Sequence, residues 1–203
     1  ARHKLYYHRD KKVAVGVELH TGAGHELHAR LRQLSPDGTL FASPGGELSG
    51  SGAGAKVMLV DESGRRSREL VDRERLHALT PNRHEFPPEA MTLGNFKWHP
   101  DGEHLLVAMW VHGYPMQGHD KPICRRSLYV ASKDGREVRW LTHFGGHHSW
   151  TPDGSRVLFV DYREGEHDGS AQGRYLHTVD FDGANRTQVF NEVAGSHPLM
   201  HPT

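Results

Sequence analysis

The chain has 203 residues, the size of one domain with a sizeable core. Lys plus Arg and Asp plus Glu both number 25, so no basic stripe is expected and no nucleic-acid partner. The lone Cys124 excludes an internal disulfide and a Cys-rich zinc site, and no apolar run reaches membrane-helix length, so no membrane partner is expected. No signal peptide is visible, and the chain begins at Ala1 without Met. It reads as a processed or partial chain, cytoplasmic, or periplasmic if a leader precedes it. The 18 His are unusual. Most read as polar surface and turn residues, while a few are expected to bind a metal or act as bases, since imidazole titrates near neutrality and ligates metals.

In chain order, Leu5–His8 and Val13–Val17 read as outer strands of a partial blade covering 1–30. Leu34-Ser35-Pro36-Asp37-Gly38 then opens a repeat: a tight turn followed by the apolar run Leu40-Phe41-Ala42. Pro presets φ for such a turn, and Gly accepts the positive φ after it. Lys56–Val60 continues this blade, 31–93. Gly45–Gly54, rich in Gly and Ser, reads as a flexible loop, and Asp72–Pro88 as a charged, then Pro-rich interruption with a short helix over Arg73–Leu79. Trp98-His99-Pro100-Asp101-Gly102 starts the next copy, 94–143, with strands at Leu105–Ala108, Leu128–Val130 and Val138–Leu141. His112–Ile123 is an insertion of the kind that lines a propeller's binding face. Trp150-Thr151-Pro152-Asp153-Gly154 starts a third copy, 144–193, with strands at Val157–Val160, Leu176–Val179 and Thr187–Phe190, and Met200-His201-Pro202 a partial fourth, 194–203. Pro36, Pro100, Pro152 and Pro202 stand 64, 52 and 50 residues apart.

A period near 50 with four strands per copy predicts an all-β fold, a β-propeller of four-stranded blades that this chain leaves incomplete. An open arc would expose strand edges, so further blades or a second chain are expected to complete the ring.

The loops entering the innermost strands carry His. His147 stands five residues before Pro152, His197 five before Pro202, and Asn95 five before Pro100. Equivalent positions of successive blades face one axis, so these side chains are expected to converge on the central channel. The competing reading is that the histidines cap strand ends. His148 should point away from His147 if the chain is extended there, and is the fallback base. His112, His119 and His177 are weaker candidates for a cleft, since nothing in the sequence fixes their direction. Trp98 and Trp150 read as blade packing. Ser149 lies in no nucleophile elbow, and no phosphate loop or dinucleotide fingerprint appears.

The run His147-His148-Ser149-Trp150-Thr151-Pro152-Asp153-Gly154-Ser155, with Val157–Tyr162 after it, resembles a blade of the oligogalacturonate lyases, and Ala194–Met200 resembles the start of their next blade. The likeness covers roughly 95–203. The turns alone are shared with TolB-type and peptidase propellers. The resemblance implies a seven-bladed, TolB-like propeller that cleaves pectin-derived oligogalacturonides by β-elimination with a divalent metal, typically manganese. It implies His147 as the base, His197 as a metal ligand, and Arg125 or Arg126, just before Leu128–Val130, as a catalytic arginine. His148 and His119 are the expected substrate contacts. In that family the other metal ligands, two His and a Gln, lie in a later blade, which leaves the metal site incomplete in this chain.

These residue types suit the chemistry. A uronate C5–H is a weak acid, so its removal needs a base titrating near neutrality and positive charge beside the carboxylate. Arg binds carboxylates bidentately and would select an acidic oligosaccharide. A non-catalytic TolB-like propeller that binds a protein or glycan is the alternative, and the propeller of a serine peptidase a third.

Overall fold

The computed structural model describes residues 4–8, 14–27, 33–46, 53–111, 125–143, 146–162 and 174–190. Four antiparallel sheets follow one another along the chain. The first has three strands, β1 (Lys4–His8), β2 (Ala14–Glu18) and β3 (Gly24–Leu27). The second holds β4 (Gln33–Leu34), β5 (Leu40–Gly45), β6 (Lys56–Asp61) and β7 (Ser67–Asp72). The third holds β8 (Met91–Trp98), β9 (His104–Val111), β10 (Arg125–Ser132) and β11 (Val138–His143). The fourth holds β12 (Gly146–Trp150), β13 (Arg156–Tyr162), β14 (Arg174–Asp180) and β15 (Thr187–Phe190). Each is a simple meander, as a propeller blade is. The described residues are all-β apart from α1 (Arg73–Leu79) and two 3-10 turns, Arg83–Glu85 and Pro88–Ala90. Among the described residues no helix is long and apolar enough to cross a membrane.

The turns follow from their sequence. Gly38, Gly102 and Gly154 all sit near φ +73°, at +72°, +73° and +74°. The Asp before each binds the turn's own polar groups: Asp37 Oδ1 accepts from Ser35 Oγ at 2.6 Å, and Asp153 Oδ1 from Thr151 Oγ1 at 2.6 Å. The helix begins where Asp72 caps it, its Oδ1 accepting from Arg75 N at 2.8 Å. Leu76 is its buried anchor, and Thr80 Oγ1 at its end meets Tyr129 OH at 2.5 Å.

Neighbouring blades are tied by contacts that repeat with the sequence. Trp98 Nε1 donates to Gln33 O at 3.1 Å, and one blade later Trp150 Nε1 donates to Lys97 O at 3.0 Å. At the outer strands, Arg68 donates to the carbonyl of Lys133, and Arg139 to that of Phe181. The outer strands of the second, third and fourth sheets each carry a bulge, at Leu70, Leu141 and Val189. Leu70 packs on the turn glycine of the next blade, Gly135, and Leu141 on Gly183, so both are buried. Val189 holds the same place in the fourth sheet and is 45% exposed. Between the second and third sheets the core is built from Leu59, Leu76, Met91, Leu93, Met109 and Tyr129. Between the third and fourth it is built from Leu106, Leu128, Val157, Phe159 and Trp150.

Part of the expected Gly/Ser loop is fixed. Gly54 N donates to Leu93 O at 2.9 Å and Leu93 N to Gly54 O at 2.7 Å, with Ala53 and Gly54 buried. The paired backbone supplies what the composition hides.

Candidate functional site

Because every connection is antiparallel, the starts of β8, β10, β12 and β14 and the ends of β9, β11 and β13 share one rim of the arc. The tight turns share the other. The first rim carries Asn95, Arg126, His143 and His147. The insertion with His112 and His119 leaves from it, but both residues lie outside the described ones, as does His197.

His147 is a bulge. Gly146 pairs with Val160 and His148 with Phe159, so His147 is the extra residue between them. It adopts φ +40° and is exposed. Asn95, one blade earlier, is likewise an exposed bulge residue, at φ +47° between Gly94 and Lys97. The shared offset from the turn proline therefore corresponds to a shared backbone conformation. Left-handed backbone costs a non-glycine residue about 1–2 kcal/mol, and such strain concentrates at functional positions.

The next residue turns inward. His148 is buried, and its Nε2 lies 2.8 Å from Asn95 O, across the seam between blades. That geometry has the ring donating from Nε2. Burial pushes its pKa down to about 4, against the backbone hydrogen bond, so the ring is neutral at physiological pH. His148, expected to contact substrate, has its ring buried as an inter-blade tie. His147 is exposed and His148 buried, and a bulge rather than the alternation of an extended strand separates them.

Arg125 and Arg126 open β10, opposite Val111 and Trp110 of β9. The side chain of Arg126 is half-buried. On the same rim, His143 Nδ1 lies 3.0 Å from Ser127 Oγ. His143 did not emerge from the repeat, because it ends an outer strand rather than entering an inner one. His177 lies deeper, stacked on Phe159 with ring centroids 5.7 Å apart, and burial lowers its pKa.

The opposite rim holds a cluster that the sequence reading passed over. His99 Nδ1 and His104 Nδ1 each lie 2.9 Å from one oxygen of Asp101. The three ligating atoms fall within 4.8 Å of one another. Burial raises the Asp101 pKa, but the Glu103 N–H and both imidazoles outweigh it and bring it down to about 2. The signal was present in the sequence: Ser35 and Thr151 hold the place before proline that His99 takes. Among the described residues no comparable trio of ligands lies at the His147 rim, so the expected metal site there rests on residues outside the described ones.

No protein-family model and no curated protein sequence matches the chain. Its fold is similar to an oligogalacturonate lyase solved in complex with manganese, with a TM-score of 0.56 at 17% identity over 89% of this chain and 43% of that one. The oligogalacturonate lyase of Vibrio parahaemolyticus gives 0.56 at 17% identity, over 90% and 43%. An acylaminoacyl peptidase of Pyrococcus horikoshii gives 0.57 at 14% identity, over 89% and 28%. The chain thus spans less than half the length of either lyase. Likeness at such identities speaks for fold alone, and it agrees with the sheets: these are successive blades of an all-β propeller.

Proposed function

We propose that the chain is part of a metal-dependent polysaccharide lyase that cleaves oligogalacturonides, or a related uronate oligosaccharide, by β-elimination. The observation that carries this reading is His147: an exposed imidazole held in left-handed backbone at the blade seam, on the rim from which the long insertions leave. Backbone strain of this kind concentrates at functional positions, which supports the reading. The likeness in fold to two lyases supports the same reading.

In this reaction His147 takes the C5 proton of the uronate onto a ring nitrogen. The C5–H electrons form the C4=C5 double bond, the C4–O bond breaks, and the departing sugar oxygen is protonated by solvent. Arg126, with Arg125 beside it on β10, holds the substrate carboxylate and offsets the charge that develops there. His119, on the insertion at the same rim, contacts the sugar. A divalent cation, of which His197 would be one ligand, would supply Lewis-acid polarisation of the carboxylate. Further blades complete the ring, packing on the face where Val189 is exposed just as the third and fourth sheets cover Leu70 and Leu141.

The test is the ultraviolet absorbance of unsaturated uronate formed from digalacturonate in the presence of Mn²⁺. His147→Ala is expected to lower the rate at least about 100-fold, the usual loss for a general base. An active protein whose rate is unchanged by His147→Ala would remove His147 from the mechanism.

A further inference from the structure

The turn Trp98-His99-Pro100-Asp101-Gly102-Glu103-His104 departs from its two equivalents in a chemically specific way. In those, the Asp carboxylate is met by hydroxyls: Ser35 and Thr39 for Asp37, Thr151 and Ser155 for Asp153. A hydroxyl brings its own hydrogen and satisfies the carboxylate in every protonation state near neutrality. Here His99 and Glu103 replace the two hydroxyls, and His104 adds a second imidazole.

His99 is pre-set. Its Nε2 lies 2.9 Å from Gly154 O of the next blade, which can only accept, so the ring proton is at Nε2. The ring is held edge-on against Trp150 and Phe181, at centroid distances of 4.8 and 5.3 Å. It also occupies the space that a side chain at Gly154 would need, 2.2 Å from where a Cβ would stand. His99 Nδ1 meets Asp101 N–H at 3.1 Å and also lies 2.9 Å from Asp101 Oδ1. The second carboxylate oxygen lies 2.9 Å from His104 Nδ1. Two imidazole nitrogens and a carboxylate therefore converge with the outer nitrogen of one imidazole anchored on a carbonyl, the arrangement by which proteins orient a metal-binding His.

We propose that His99 Nδ1, Asp101 and His104 Nδ1 form a binding site for a borderline divalent transition metal, Zn²⁺ above Mn²⁺. Two nitrogens and one oxygen favour Zn²⁺ in the general order of divalent affinities, and three protein ligands with a remaining open position are common for it. Tetrahedral bonds of about 2.05 Å place ligand atoms about 3.3 Å apart. The 2.9 Å pairs need spread only slightly, and the trio already lies within 4.8 Å. Through Gly154 O the ion would brace the seam between the third and fourth sheets. The site lies on the rim opposite His147 and does not depend on the lyase reading.

Calorimetric titration of the metal-stripped protein with Zn²⁺ tests this, with other histidines handled by comparing site numbers. Wild type is expected to bind one more Zn²⁺ tightly than either His104→Ala or His99→Thr, the latter restoring the hydroxyl of the equivalent turns. Affinity at that site is expected to fall at least about 100-fold, beyond the loss that follows removal of outer-shell partners. Zn²⁺ is also expected to raise the melting temperature of wild type more than that of His104→Ala, whose His is partly exposed and whose loss leaves the His99 tie in place. No tight Zn²⁺ binding by wild type, or equal site number and affinity in wild type and a folded His104→Ala, overturns the proposal.

Discussion

Replacing Gly154 by Ala places a methyl group 2.2 Å from His99 Nε2 and 2.6 Å from Cε1, at a backbone φ of +74°. Two costs follow, and the repeat separates them. The left-handed backbone alone costs Ala about 1–2 kcal/mol. Gly38 has nearly the same φ, +72°, with nothing within 4 Å of a new Cβ, so Gly38→Ala measures that cost by itself. At Gly154 the His99 ring must also leave, giving up its hydrogen bond to Gly154 O, worth about 1 kcal/mol, and its edge contact with Trp150, worth about 0.5–1.5 kcal/mol. Gly154→Ala is therefore expected to destabilise by about 3 kcal/mol and Gly38→Ala by about 1–2 kcal/mol. Urea unfolding at one fixed pH, followed by tryptophan fluorescence because Trp150 borders the perturbed ring, gives both values. Equal destabilisation by the two substitutions would refute the inter-blade role of His99.

His148 is expected to make stability fall in mild acid. Its folded pKa of about 4 lies below the 6.5 of a solvent-exposed imidazole, so between these values the unfolded chain takes up a proton that the folded chain refuses. Stability is full above about pH 6.5 and drops as pH falls, by about 2 kcal/mol between pH 7 and pH 5 for this group. His148→Gln, which keeps a donor toward Asn95 O, is expected to remove that share, and urea midpoints at the two pH values measure it. His147→Gly relieves the left-handed strain and is expected to leave the protein as stable or more stable by about 1 kcal/mol while abolishing lyase activity; a destabilised variant would show that His147 is a structural residue. Tyr129→Phe removes the hydroxyl bonded to Thr80 Oγ1, which keeps its bond to Leu76 O, and is expected to cost about 1 kcal/mol in urea unfolding.

The turns and inner strands were legible because each combines a proline, a positive-φ glycine and an apolar run at one offset. Trp98 and Trp150 read as packing residues for the same reason, and both donate across the seam. The helix over Arg73–Leu79 was legible from its charged periodic stretch and is capped by Asp72. β7 was harder, since Ser67, Arg68 and Glu69 are exposed and blur the strand pattern. The conformation of His147 was not legible: nothing in Gly-His-His-Ser announces that a non-glycine residue takes the left-handed position, and only comparison with Asn95 makes it regular. His99 and His104 were hidden by the turn motif around them. Proline, aspartate and glycine announce a structural turn, and the exchange of two hydroxyl positions for His and Glu shows only when the copies are compared side chain by side chain.

The most direct measurement is the mass of the products formed from digalacturonate by the protein with its ring complete and Mn²⁺ supplied. Elimination yields galacturonate and an unsaturated uronate lighter by one water, with the signal lost in His147→Ala. That is the expected result. Two galacturonates, the products of hydrolysis, or intact substrate with the protein folded, would contradict a lyase built around His147.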